Sequence, residues 1–112
     1  MNIQMSFQHL APNDAAKTYA TEKSQTLQRY FDGRVSVIWH FSIDAGEAVA
    51  RCQLKGSHMD YHGEARAEAL HAAIDLAIDK VERQIRKHKE IVKDHLHKAA
   101  HREDQNESEE VS

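Results

Sequence analysis

A single cysteine, Cys52, excludes an intrachain disulfide and the metal motifs that need paired cysteines; it fits a reducing compartment. Four glycines are scattered along 112 residues, and none belongs to a glycine-rich phosphate loop. A G-x-S-x-G elbow and an HExxH helix are also missing, and neither Ser57 nor Cys52 has a nucleophile's context. Aromatics are scarce, although Trp39, three tyrosines and three phenylalanines suffice to anchor a sheet. No apolar run approaches the ~20 residues of a membrane span. The opening MNIQMSFQHL lacks a basic n-region and an apolar h-region, so a secretory signal is not expected. These absences point to a soluble, cytoplasmic, non-enzymatic protein that binds no small-molecule substrate and no cofactor.

Charge is what the chain has in quantity, and it is segregated. The net charge of −3 conceals three blocks. Residues 1–79 hold seven Lys/Arg against ten Asp/Glu, 80–102 hold eight against three, and 103–112 hold none against five. A basic helix end followed by an acidic tail suggests a polyanionic partner. The simpler reading is a solvated helix end whose cations suit the negative end of the helix dipole.

The length predicts one domain with a modest core. Its most prominent stretch is one helix from about Arg66 to about Ala100, with Leu70, Ile74, Ala77, Val81, Ile85, His88 and Val92 at alternating spacings of three and four. Ala73 and Ile78 widen the stripe in the first half, which is ready to cover a sheet. Past Ile85 the helix reads as a basic rod carrying Arg86, Lys87, Lys89, Lys93 and Lys98.

Upstream, Ile3, Met5 and Phe7 alternate with polar residues as in a half-buried strand. Asn13 or Asp14 caps a first helix that runs to about Phe31 and ends at Asp32-Gly33. Its stripe is Ala16, Tyr19, Ala20, Leu27, Tyr30 and Phe31, interrupted by Lys23. Val35, Val37, Trp39 and Phe41 mark the strongest strand. Ala48 to about Lys55 forms a third strand, and His58 to about Ala65 a weaker fourth, joined by short turns at Asp44-Ala45-Gly46 and Lys55-Gly56-Ser57. The expected fold is α+β, a two-layer sandwich in β-α-β-β-β-α order. Its four-stranded sheet is mostly antiparallel, with both helices on one face. Residues 1–100 make up this domain, and 101–112 are expected to be a disordered acidic tail.

Nine histidines raise the question of a metal. His97 and His101 stand at i, i+4 on the long helix, and His58 and His62 four apart on the fourth strand. Neither pair has an obvious third ligand, so solvated or nucleic-acid-facing histidines are expected and no metal site is assigned. Asp75 and Asp79, one helical turn apart, read as surface charges or as supports that orient basic residues. Lys80, Arg83, Arg86 and Lys87 lie on neighbouring rows, and Lys89 and Lys93 extend the positive surface. Such a surface neutralises phosphates and releases counterions. Exposed Tyr or Trp platforms near this helix are not evident, which favours a structured RNA read by shape and backbone.

Some of these residues resemble a known family. Leu27, Tyr30, Phe31 and Asp32 are similar to that family's first-helix end. The blocks Ala72-Ala73-Ile74-Asp75, Ile78-Asp79-Lys80-Val81, Arg83-Gln84-Ile85 and Lys87-His88-Lys89 resemble its last-helix signature. The family is that of the ribosome hibernation-promoting factors and ribosome-associated inhibitor A, and the chain resembles its short form. The resemblance spans roughly Met1 to His95.

The resemblance implies a stress or stationary-phase protein that binds the small ribosomal subunit and its 16S rRNA in the mRNA and tRNA channel, inhibiting translation. The rRNA contacts it implies are Lys80, Arg83, Arg86, Lys87, Lys89 and Lys93, with Lys23 on the first helix. Off the ribosome a monomer is expected, and no membrane partner. Two departures stand out. Ser24, Gln25 and Thr26 replace further lysine in the first helix, and Glu68-Ala69-Leu70-His71 replaces an aspartate-methionine-tyrosine approach. The alternative is a free double-stranded-RNA-binding or RNA-chaperone module. Those domains run α-β-β-β-α, so the opening strand argues against it.

Overall fold

The structure, a computed structural model, describes the backbone of residues 1–101 and the side chains through Lys89. Its elements are β1 (Asn2–Gln8), α1 (Asp14–Gln25), a 3₁₀ turn (Thr26–Tyr30), β2 (Ser36–Asp44), β3 (Glu47–Gly56), β4 (Met59–Ala67) and α2 (Leu70–His101). The chain divides into one compact unit, Met1–Glu82, and a second from Arg83 onward. No helix among the described residues is long and apolar enough to cross a membrane.

The first unit is built on a four-stranded sheet in the order β1-β2-β3-β4. β1 runs parallel to β2, and the two remaining pairs are antiparallel. Met5, Trp39, Cys52 and Gly63 stand in one register row, and Phe7, Phe41, Ala50 and Ala65 in the next. Since side chains alternate along each strand, these rows define one face. Trp39, Phe41 and Ala50 on it are fully buried, whereas Gln4, Gln8, Arg51 and His62 point to the other side and are exposed.

Within this unit, α1 and the first part of α2, residues 70–82, lie on the buried face. α1 reaches it through Ser24, whose hydroxyl oxygen accepts from the Trp39 indole N–H at 2.8 Å. α2 comes so close at β4 that a Cβ built on Gly63 would fall 2.5 Å from the Ala77 carbonyl oxygen and 3.0 Å from Val81 Cγ2. Ala73, Ile74, Ala77, Ile78 and Val81 of α2 are buried. Gly63 thus sets how near the helix backbone can sit. Gly63→Ala is expected to lower stability by about 1–3 kcal/mol, because a backbone oxygen cannot move aside as a side chain can. A lower urea midpoint at unchanged m would show it; an unchanged midpoint would mean the helix has room to spare.

The start of α1 agrees with the pattern reading, whereas its end and the start of α2 differ from it. Asn13 caps α1, its Oδ1 accepting from the Ala16 N–H at 3.1 Å. The α-helix then stops at Gln25 and tightens into the 3₁₀ turn, short of the expected Phe31. Thr26 Oγ1 donates to the Lys23 carbonyl at 2.6 Å, the kind of local side-chain bond that competes with a regular helix. Arg66 and Ala67 remain in β4, paired with Val49 and Ala48, so α2 begins at Leu70. Arg66 forms ion pairs there with Asp44 and Glu47, across the hairpin end.

Between β2 and β3 the two-residue turn Ala45-Gly46 has φ of 53° and 80°. Two positive φ values are the signature of the turn that matches the twist of a hairpin.

Candidate nucleic-acid interface

In the second unit, α2 carries Arg83, Arg86, Lys87 and Lys89, all exposed, around a buried Ile85. At about 100° per residue, Arg83, Arg86 and Lys87 share one side of the helix, roughly opposite Ile85. His88 is exposed, so it does not continue the apolar row that its spacing suggested. The side chain of Lys93 lies outside the described residues, as do the side chains of His97 and His101 and the acidic residues 103–112.

In the first unit, Lys80 is exposed and its ammonium donates to the Glu64 carbonyl at 2.7 Å, which holds it at the outer strand of the sheet. Lys23 is half-buried. Its Nζ lies 3.9 Å from Asp75 Oδ1 and 5.4 Å from the centre of the Tyr19 ring. Asp75 also accepts the Tyr19 hydroxyl hydrogen bond. That bond holds the Tyr19 phenol above its ordinary pKa, since ionisation would place two anions side by side. Asp75 is therefore a support that orients a basic residue.

One cation escaped the sequence pattern. Arg29 stands in the 3₁₀ turn with 64% of its side chain exposed, and its Nη2 donates to Glu82 Oε2 at 2.8 Å. The same oxygen accepts the Tyr30 hydroxyl at 2.7 Å, and the guanidinium lies 5.0 Å from the Tyr30 ring centre. Its ion-pair partner Glu82 lies 53 positions away in sequence, so no spacing rule could have found that pairing.

Burial pushes the Cys52 thiol up to about 12, which leaves no thiolate for attack at neutral pH. Among the described residues, no group of three or more His, Cys, Asp or Glu is placed to hold a metal ion. His58 lies in the β3–β4 turn, and His62 pairs with Asp60 at 3.0 Å.

A family model described as sigma 54 modulation protein / S30EA ribosomal protein matches residues 3–93. The chain belongs to this family. A ribosome hibernation promoting factor from Azotobacter vinelandii is 34% identical over 90 residues, covering 80% of this chain and 84% of the relative. The crystal structure of the Thermus thermophilus Protein Y N-terminal domain superposes with a TM-score of 0.73 at 32% identity, over 79% of this chain and 99% of that one. A ribosomal subunit interface protein from Coxiella burnetii shares the fold, with a TM-score of 0.64 at 22% identity, over 80% of this chain and 99% of that one. The fold of this S30EA family member, β-α-β-β-β-α with a mixed sheet, is thus the one its relatives share.

Proposed function

We propose that this family member is a ribosome hibernation factor. It binds the small ribosomal subunit along 16S rRNA in the mRNA and tRNA channel and inhibits translation under stress or in stationary phase. The observation that carries this reading is the exposed cationic side formed by Arg83, Arg86 and Lys87, with Lys89 exposed at its flank, within the region matched to a family whose Azotobacter vinelandii member is named for ribosome hibernation. Lys23, Lys80 and Lys93 are assigned to the same binding role. The reaction is binding alone: no substrate is turned over and no cofactor is used. The protein acts in the cytoplasm, as a monomer off the ribosome. Residues 1–100 form the binding part, and the acidic residues 101–112 form an appended tail.

A free RNA-binding module is the second reading. It is disfavoured because β1 pairs in parallel with β2 along seven residues, an integral strand that the α-β-β-β-α order does not provide.

Sedimentation of purified small subunits with the protein across a salt series tests the proposal. With the seven assigned cations on phosphates, affinity should fall roughly 10³–10⁴-fold between 50 and 200 mM salt. Binding that is absent at low salt, or equal on unrelated duplex RNA, would sink it.

A further inference from the structure

We propose that His71, backed by Tyr19 and flanked by Lys23, is a stacking platform for an unpaired rRNA base. The inference rests on the ribosome-binding reading and adds to it a base contact where shape and charge alone were expected.

His71 is the second residue of α2, and its side chain is exposed. Its ring centre lies 4.7 Å from that of Tyr19 on α1, with the planes tilted by 40°. Tyr19 is half-buried, and its hydroxyl is tied to Asp75. The outer ring therefore rests on an inner one whose position is fixed at both ends. An exposed ring supported in this way loses little freedom when a planar group settles on it, which is what a stacking platform needs. Lys23, 5.4 Å from the Tyr19 ring centre, places a cation beside the aromatic pair. A base with its phosphate presents that combination, a π face and an adjacent anion. Single-stranded or bulged RNA offers such bases, and histidine is among the side chains on which they stack.

The test compares wild type, His71→Ala and His71→Phe for binding to purified small subunits at fixed salt, with base-specific chemical probing of the rRNA. His71→Ala should weaken binding by about 5- to 150-fold and lose protection of one unpaired base. His71→Phe, which keeps a ring and removes the imidazole nitrogens, should keep both affinity and protection. Thermal unfolding of the two variants should match wild type, as expected for an exposed position. Wild-type affinity in His71→Ala, or equal losses in Ala and Phe, would overturn the platform while leaving ribosome binding standing. Failure of the wild type itself to bind would remove the underlying reading, and the platform with it.

Discussion

Changing Arg83, Arg86 and Lys87 together to glutamate is expected to abolish cosedimentation with small subunits while thermal unfolding stays nearly unchanged. The three side chains are exposed, and the buried position in this segment is Ile85, so the apolar core is untouched. They also lie well before the last turn of α2, where reversed charges would oppose the helix dipole most strongly. Against a phosphate surface, however, the change replaces three favourable contacts with three like-charge juxtapositions. Such juxtapositions cost several kcal/mol, or roughly a thousandfold or more in affinity. Lys55→Glu is the control. Lys55 is exposed on β3, in register with Ser36 and Asp60 on the side of the sheet away from the helices. That variant should bind nearly as wild type, which would separate a located surface from a general dependence on net charge. Undiminished sedimentation of the triple variant would refute the assigned surface.

The strands were legible because alternation is a local property. Val37, Trp39 and Phe41 are buried and Ile38 and His40 half-buried, as a period of two requires. The first half of α2 was legible for the same reason, with Ile74, Ala77 and Val81 at helical spacing and all buried. Spacing is weaker evidence where it outruns the surface it must cover. His88 fits the row yet is exposed, since a repeat can be extended on paper whether or not anything lies against it.

Polar residues that are defined by distant partners were not legible at all. Ser24 is fully buried in α1, a position its composition marks as surface. Lys23 interrupts the apolar stripe, and its place is set by Asp75 and Tyr19 around it. The contact between Tyr19 and His71 joins two helices across 52 positions of sequence, so a search for aromatic platforms beside the basic helix had no local signal to find. Likewise Arg29 becomes a candidate cation only through Glu82 and Tyr30. In this fold the apolar pattern specifies the layers, whereas the side chains between the helices acquire their roles from packing.

Trp39→Ala is expected to cost about 3–5 kcal/mol, the range for deleting a large buried aromatic side chain. Trp39 is fully buried at the centre of the sheet, in register between Met5 and Cys52, with its ring stacked 5.4 Å from Phe41. Domains of this size are stable by only about 5–15 kcal/mol, so the variant should sit near its unfolding threshold. Part of the cost has a polar origin that can be separated. The indole N–H donates to Ser24 Oγ at 2.8 Å, and the Ser24 hydroxyl donates in turn to the Ala20 carbonyl at 2.7 Å. Ser24→Ala strands a buried indole N–H and should cost about 1–3 kcal/mol. Trp39→Phe removes that donor along with some volume, so Ser24→Ala should cost less in its background than in wild type. This non-additivity would identify the bond as a coupled pair. Because Trp39 is the one tryptophan, urea titrations should be followed by circular dichroism. A loss below about 1 kcal/mol for Trp39→Ala would be incompatible with a buried ring, and additive effects in the cycle would leave the Ser24 bond without energetic weight.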